Sequence, residues 1–500
     1  MESPATSQRW MSPPRLFQIG VVFLILLTGI WIRSRDLAAD PLDVSHSQQL
    51  IFLLTAKAYQ SPAHADNPAL PSGADFALIT QDAPVMQWID GKLAALLQKD
   101  LISVARGISN AGWMLASLLL YLLVRRITKP FIALAVLVLM IFLPFSIQFS
   151  RVVLPGSWAM VFAILALWQL WRWTDQDSWS AVLAGGLLGS VAIMLQSQWL
   201  YILAGGLFAT WWSTRKKHQN ALAQTLFMGA LWIAPRLIYA LSMHPAAGLS
   251  AFLGLEDLSF GISSLRQLVR LELRLESIIG VLGLGLVLIG ILFTPQGTRR
   301  SLLIGLWAGF GIMCLLSLKA ISDSIYILYP VILLSSVTFI PLFETLQDAM
   351  GENRLRSFNT VILVVIMLIA AGLGGIDGRR LVKANPEQIP VDFWRSAGQK
   401  MGSQAVFLSN TNSVTLPLAF YGGIQPVCIA ASGNCLNQVD SLADQMPEAE
   451  LYFVLFKTDL DEVLAANSRL SLSAYHCDLG SGVMMIPLTS DHPACDNSGG

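Results

Sequence analysis

Apolar and polar positions fall along this chain in long blocks. Runs near 16–32, 107–124, 131–148, 153–171, 179–195, 198–213, 221–242, 277–294, 301–318, 324–343 and 357–375 are almost wholly apolar. A helix needs about 20 apolar residues to cross the hydrocarbon core of a bilayer. The pattern therefore predicts a mainly α, polytopic membrane protein with about 11 transmembrane helices. The pair within 179–213 is tightly spaced, and its boundaries are weakly marked.

Polar stretches between the runs orient them. Arg9 and Arg15 precede the first run; Arg125, Arg126 and Lys129 follow the second; Arg215, Lys216 and Lys217 follow the sixth; Arg299 and Arg300 follow the eighth; Arg354 and Arg356 precede the eleventh. Cytoplasmic loops carry the excess of Lys and Arg, so a cytoplasmic N-terminus places every one of these clusters inside. Arg33 and Arg35, which close the first run, are the exceptions. An odd number of spans then leaves the C-terminal part outside. The chain divides into a membrane part, 1–375, with a large first outer loop at 33–106, and a small extracytoplasmic α/β domain at 376–500.

Within the first loop, Val44 to Tyr59 carries Leu50, Leu53 and Leu54 at helical spacing and reads as an interfacial helix. A loop rich in Pro, Ala and Asp follows (Ser61 to Gly73), and Met86 to Leu97 is helical again. In the C-terminal part, Ala405 to Ser409, Leu451 to Phe456 and Val483 to Ile486 read as buried strands, with helices at Leu436 to Gln445 and Asp459 to Asn467.

Composition agrees. The 500 residues are 54% hydrophobic and 13% charged, against about 25% charged in a soluble domain, and the mean hydropathy is +0.59. Lys+Arg and Asp+Glu both number 32, so charge gives no sign of a nucleic-acid partner. Leu16 to Ile32 is longer than an ordinary signal-peptide core and has no small-residue cleavage site, so it reads as a retained first span. Cys314 lies in an apolar run, whereas Cys428, Cys435, Cys477 and Cys495 all lie in the polar last quarter. An even set confined to one domain suggests two disulfides in an oxidising compartment, against the alternative of four unrelated thiols.

Four constellations could carry chemistry. Asp36, Asp40 and Asp43 follow directly on the first span. A carboxylate there can serve as a base on the outer face, or Asp43 can cap the helix beginning nearby. Asp82, two residues before Pro84, can face Asp43 if the loop folds back, or can cap the next helix. Lys319 ends the ninth span, and Tyr326, Tyr329 and Pro330 open the tenth; the lysine can meet a phosphate or merely snorkel. Arg266, Arg270 and Arg274 share a helix face and suit an anionic lipid head group, or pair with Glu272 and Glu276. Arg236, beside Pro235 in the seventh run, is costly in lipid and should face a cavity. There is no P-loop, Gly-rich dinucleotide turn or CxxC metal spacing, and His46, His64 and His244 are scattered.

In their order these features resemble the GT-C superfamily of membrane glycosyltransferases, in the branch of dolichyl-phosphate-mannose–protein mannosyltransferases and bacterial aminoarabinose transferases. The phrases are Asp43 after span one, Asp82-Ala-Pro-Val-Met-Gln-Trp, Ala105-Arg106-Gly-Ile-Ser, Pro144-Phe-Ser-Ile-Gln-Phe-Ser-Arg151, Lys319 to Pro330, and Leu418-Ala-Phe-Tyr-Gly-Gly423. Many family members carry an Asp-Glu pair where Asp43 is followed by Val-Ser-His, which leaves the base open between Asp43 and Asp40.

The resemblance implies a polyprenyl-phosphate-linked sugar donor and a lipid, glycan or protein acceptor on the outer face of a bacterial inner membrane. Asp43 would act on the acceptor hydroxyl, with Asp82 in support. Lys319, with Arg266 or Arg270 and with Tyr326 nearby, would meet the departing lipid phosphate. A divalent metal stays open. Two other readings use the same cations: a flippase for a lipid-linked sugar, and a non-catalytic subunit of a cell-envelope assembly. Transporters often show inverted repeats; none is visible here, and the large asymmetric first loop favours an enzyme.

Overall fold

The computed structural model describes residues 13–35, 37–40, 46–60, 82–243, 287–295, 297–318, 325–349, 389–402, 405–409, 411–427, 450–466 and 477–488, with single positions at 252, 271, 275, 278 and 321. The expected span at 357–375, the helix at 436–445 and the loop at 61–73 lie outside the described residues.

Helices dominate. In chain order they are α1 (Pro13–Arg33), α2 (His46–Gln60), α3 (Val85–Leu97), α4 (Leu101–Ile127), α5 (Pro130–Phe142), α6 (Pro144–Arg151), α7 (Gly156–Gln176), α8 (Trp179–Leu195), α9 (Trp199–Thr214), α10 (Ala221–Met243), α11 (Thr298–Leu316) and α12 (Pro330–Ala349). Local chemistry sets the ends. Asp100 caps α4 by accepting the backbone N–H of Ser103 at 2.9 Å, and Pro130 sits at the first position of α5. Gln98 and Asp177 close α3 and α7 in the left-handed conformation.

Among the described residues four helical stretches are long and apolar enough to cross a membrane: Leu101–Ile127, Ala221–Met243, Thr298–Leu316 and Tyr326–Thr345. Phe17–Arg33 and Trp179–Leu195 are shorter apolar helices. With the bent pair α5–α6 counted as one span there are five among the described residues; the expected run at 357–375 and half of that at 277–294 lie outside them.

The run at 131–148 is not one straight span. It breaks between α5 and α6 with a bend of 60°. Pro144 lacks the N–H that would bond the carbonyl four residues back. The loosened carbonyls are taken by side chains: Trp113 Nε1 donates to Met140 O at 2.9 Å, and Arg33 Nη2 donates to Ile141 O at 2.6 Å.

Small residues bring helix backbones together. On α9 and α11, a Cβ on Gly205 would lie 2.2 Å from Gly305 O, and one on Gly309 would lie 2.2 Å from Tyr201 O. In lipid, where the hydrophobic effect gives helices no net attraction, such close packing and interhelical hydrogen bonds hold a bundle. Between α8 and α10, Trp232 fills the notch over Gly189 and donates its indole N–H to Gly185 O at 3.0 Å.

The C-terminal part is a small α/β layer. Its helices are α13 (Val391–Met401), α14 (Asn412–Phe420) and α15 (Leu460–Ala466), and its strands are β1 (Val406–Leu408), β2 (Gln425–Pro426), β3 (Leu451–Phe456), β4 (Cys477–Gly480) and β5 (Val483–Pro487). Strand order is β2-β1-β3-β5-β4. β1 runs parallel to β2 and β3; β5 runs antiparallel to β3 and β4. Both sheet faces are covered. Phe407, Tyr452 and Val454 meet α13 and α14 on one side, and Leu408, Phe453 and Leu455 meet α15 on the other. The expected strands at 405–409, 451–456 and 483–486 correspond to β1, β3 and β5. The helix expected at 459–467 begins as a 3₁₀ turn at Lys457–Asp459. Cys314 is buried and free; Cys477 is partnered, and Cys428, Cys435 and Cys495 lie outside the described residues.

α2 corrects its expected interfacial role. Leu50 and Leu54 enter the core of the sheet layer, beside Trp394, Ala397 and Leu418. Phe52, Leu53 and Ala56 enter the core of the helical bundle. Both apolar rows meet protein, so α2 has no face left for lipid and instead joins the two parts. Gly91 of α3 sets its seat: a Cβ there would lie 2.2 Å from Ala56 O and 3.2 Å from Tyr59 Cβ. A backbone carbonyl cannot swing aside. Gly91→Val is therefore expected to push α2 off α3 and to lower stability by about 1–3 kcal/mol. Thermal unfolding in detergent checks this, and an unchanged midpoint would contradict the seat.

Candidate functional site

The stretch after α1 carries the first acids. Asp36 and Asp43 lie outside the described residues; Asp40 is described. Arg106 of α4 is buried and donates to Leu37 O at 3.1 Å and to Ala39 O, which pins the backbone leading into Asp40. The Asp40 carboxylate lies 3.8 Å from Arg395 of α13. Burial raises its pKa above the usual carboxylate range, while Arg395 and Arg106 pull the other way. Asp40 thus sits where the first loop, the bundle and the C-terminal layer meet.

Arg33 is not a surface flank of the first span. Its side chain is fully buried and donates to Ser150 Oγ at 2.6 Å, Gly29 O at 3.2 Å and Ile141 O at 2.6 Å. One of these acceptors, Ile141 O, is a carbonyl at the α5–α6 bend, which a sequence cannot display.

Asp82 is the centre of the second group. It does not cap α3: the N-cap position is Pro84 and has no side-chain cap. Instead its Oδ1 accepts the backbone N–H of Ser197 at 3.0 Å and lies 3.4 Å from Arg236 Nη2. Its backbone carbonyl accepts the Tyr239 hydroxyl at 3.3 Å, and Ala83 N donates to Met194 O at 3.1 Å. Burial raises the pKa of the Asp82 carboxyl, opposed by Arg236 and by the Ser197 hydrogen bond.

Arg236 is fully buried and also donates Nε to Phe252 O at 3.4 Å. Instead of the expected cavity, it meets protein, with the Asp82 carboxylate among its partners. Pro235 beside it lies inside α10.

Aromatic side chains adjoin this pair. Trp199 opens α9 and donates its indole N–H to the Tyr329 hydroxyl. Tyr329 is within electrostatic reach of Asp82. Tyr326 is buried and meets Phe149 edge-on, with centroids 4.9 Å apart. The fold thus brings Asp82 near the Tyr326–Tyr329 turn, as parts of one region. Lys319, Arg266, Arg270 and Arg274 lie outside the described residues. No group of three or more His, Cys, Asp or Glu side chains that could hold a metal occurs among the described residues.

Sequence reading overlooked Asp90 of α3. It is 2% exposed, and its Oδ1 has no hydrogen-bond partner. Burial alone pushes its pKa up to about 8. Its place one turn after Gln87, on the face that also carries Gly91, was the available signal: that face is buried.

Two expectations follow. Asp82→Ala leaves the Arg236 charge buried without its carboxylate and should cost stability near the lower end of about 3–5 kcal/mol, because the Asp82 side chain is 23% exposed. The double variant Asp82→Ala with Arg236→Leu should recover part of the loss in thermal unfolding; additive losses would deny the coupling. For Asp90, the folded chain keeps a proton that the unfolded chain releases between the ordinary carboxylate range and about 8. Its effect on the fold is absent below that window, and stability falls as pH rises through it. Asp90→Asn should flatten this part of the pH–stability curve; superimposable curves would remove Asp90 as its source.

Residues 81–239 match the family model described as dolichyl-phosphate-mannose-protein mannosyltransferase. No curated protein matches the sequence. Among solved structures, the Archaeoglobus fulgidus oligosaccharyltransferase in complex with zinc and sulfate is similar with TM-score 0.56 and 13% identity, over 89% of this chain and 69% of that one. ArnT from Cupriavidus metallidurans bound to undecaprenyl phosphate is similar with TM-score 0.55 and 10% identity, over 95% of this chain and 98% of that one. In its apo state the values are 0.53 and 11%, over 94% and 97%. The matched region spans Asp82 through Arg236 and Tyr239, the residues that build the ion pair. Over residues 81–239 the chain is thus similar to that mannosyltransferase family, and its fold is shared with the archaeal oligosaccharyltransferase and with ArnT.

Proposed function

We propose that this protein transfers a sugar from a polyprenyl-phosphate-linked donor to a hydroxyl acceptor at the extracytoplasmic face of a bacterial inner membrane, with its N-terminus inside and residues 376–500 outside. The observation that carries the reading is the Asp82–Arg236 pair at the mouth of a GT-C bundle, in a fold shared with an ArnT that binds undecaprenyl phosphate. The pair fixes the chain entering α3 against α10 and the α8–α9 link, which supports a positioned acid at this site.

The chemistry divides among the acids and cations. The acceptor oxygen attacks the anomeric carbon, its proton passes to a carboxylate, and the bond to phosphate breaks with its electron pair leaving on the lipid phosphate. Asp43 is our choice of base, with Asp40 as the alternative; the raised pKa of Asp40 makes it the better proton acceptor of the usual carboxylates. Asp82 is already engaged by Ser197 and Arg236, which suits positioning rather than proton transfer. Lys319, Arg266 and Arg270 are proposed to meet the leaving phosphate, alongside Tyr326. The acceptor class, lipid, glycan or protein, is set by the outer loop and the C-terminal layer.

The test is turnover of a polyprenyl-phosphate-linked sugar by purified protein in liposomes. Asp43→Asn should lower the rate by roughly 10²–10⁴-fold with expression unchanged, and Lys319→Ala should weaken use of the donor. Full activity in Asp43→Asn moves the base to Asp40. Full activity in the Asp40, Asp43 and Asp82 variants together rejects the outer site. Movement of intact lipid-linked sugar across the bilayer without cleavage makes the protein a flippase instead.

A further inference from the structure

Beyond the ion pair, the short link between α8 and α9 has a chemistry of its own. It consists of Gln196, Ser197 and Gln198. Its middle residue is held at the site, because the Ser197 N–H bonds the Asp82 carboxylate at 3.0 Å. The flanking residues are not satisfied in the same way. The side-chain oxygens of Gln196 and Gln198 are both shielded from solvent and accept no hydrogen bond. Buried amide oxygens nearly always find a donor, so two left open on either side of one anchored residue call for a donor from outside the chain.

The surroundings narrow what that donor is. A Cβ on Gly156 would lie 3.1 Å from Gln196 Oε1 and 3.3 Å from the Tyr329 ring, so the amide oxygen, an aromatic ring and a side-chain-free backbone position meet at one point. Trp199, the next residue after Gln198, packs edge-on against Tyr329 at 6.0 Å between centroids. A phosphate at neutral pH is chiefly an acceptor and would repel an amide oxygen. A sugar offers several O–H donors, and its C–H faces pack on aromatic rings.

We infer that the Gln196–Ser197–Gln198 link reads the sugar of the donor, with the two glutamine oxygens accepting hydrogen bonds from its hydroxyl groups. This rests on the proposed lipid-linked donor. It adds a division of labour: cations meet the phosphate, and the link discriminates the sugar.

The experiment measures binding, without acceptor, of bare polyprenyl phosphate and of polyprenyl phosphate carrying glucose, mannose or galactose to the purified full-length protein. Without acceptor, a hydroxyl preference cannot come from an acceptor glycan. The wild type should bind at least one glycosylated lipid roughly tenfold or more tighter than the bare one, since a site built to bond hydroxyls rejects the analogue lacking them. Gln196→Leu and Gln198→Leu should each reduce that preference while leaving bare-lipid affinity in place, which also reports that the variants are folded. Gln196→Glu, which keeps an acceptor oxygen, should restore part of it. A preference that survives both leucine substitutions overturns the inference, as does a wild type indifferent to the sugar while still binding bare lipid. A wild type that binds none of these lipids removes the proposed donor as well.

Discussion

A positive charge inside an apolar bundle must find oxygen, and among the described residues Arg33, Arg106 and Arg236, with Arg151 also buried, impose that requirement on this fold. Burying an unpaired guanidinium costs far more than one helix contact can return. Arg33 meets it with Ser150 Oγ and two carbonyls. Arg106 meets it with the carbonyls of Leu37 and Ala39. Arg236 meets it with the Asp82 carboxylate and Phe252 O. Each solution fixes a different piece: the bend between α5 and α6, the chain leaving α1, and the chain entering α3. Together they place both ends of the first outer loop against the bundle.

The regular part of this arrangement is legible in the amino-acid pattern because it follows from local periodicity. The apolar run at 221–242 becomes α10, Met86 to Leu97 falls within α3, and the β-rich run Leu451 to Phe456 becomes β3. What escapes is whatever depends on a partner distant in the chain. Arg33 has the look of an ordinary basic flank until Ser150 Oγ and a carbonyl at the α5–α6 bend, Ile141 O, are brought to it. Asp82 near a proline has the look of a helix cap until Ser197 arrives from the α8–α9 link and Arg236 from α10. Leu50, Leu53 and Leu54 have the spacing of a helix lying on a membrane, and spacing alone does not say whether lipid or protein covers them. The acids after α1 could be singled out by position alone; their roles depend on neighbours that position does not supply.

The close crossing of α9 with α11 bears on how the site holds its shape. Backbones in contact at Gly205, Gly305 and Gly309 leave no layer of side chains to shear. Trp199, at the head of α9, is carried on that rigid pair and holds Tyr329 by its indole N–H. The link that anchors Asp82 therefore stands on a firm base, while the first loop approaches it from the other side.

The double burial of α2 has a consequence for how the molecule comes into being. Leu50 and Leu54 precede nearly every other described helix, yet the core they complete contains Trp394, Leu418 and Val483, which are made much later. Loop closure over so great a separation is slow, and a domain made last cannot dock early. During synthesis this helix must wait, its leucines uncovered, through the insertion of nearly every other helix. Docking of the sheet layer thus comes late in biogenesis, and loss of that layer would leave the first loop without one of its two walls.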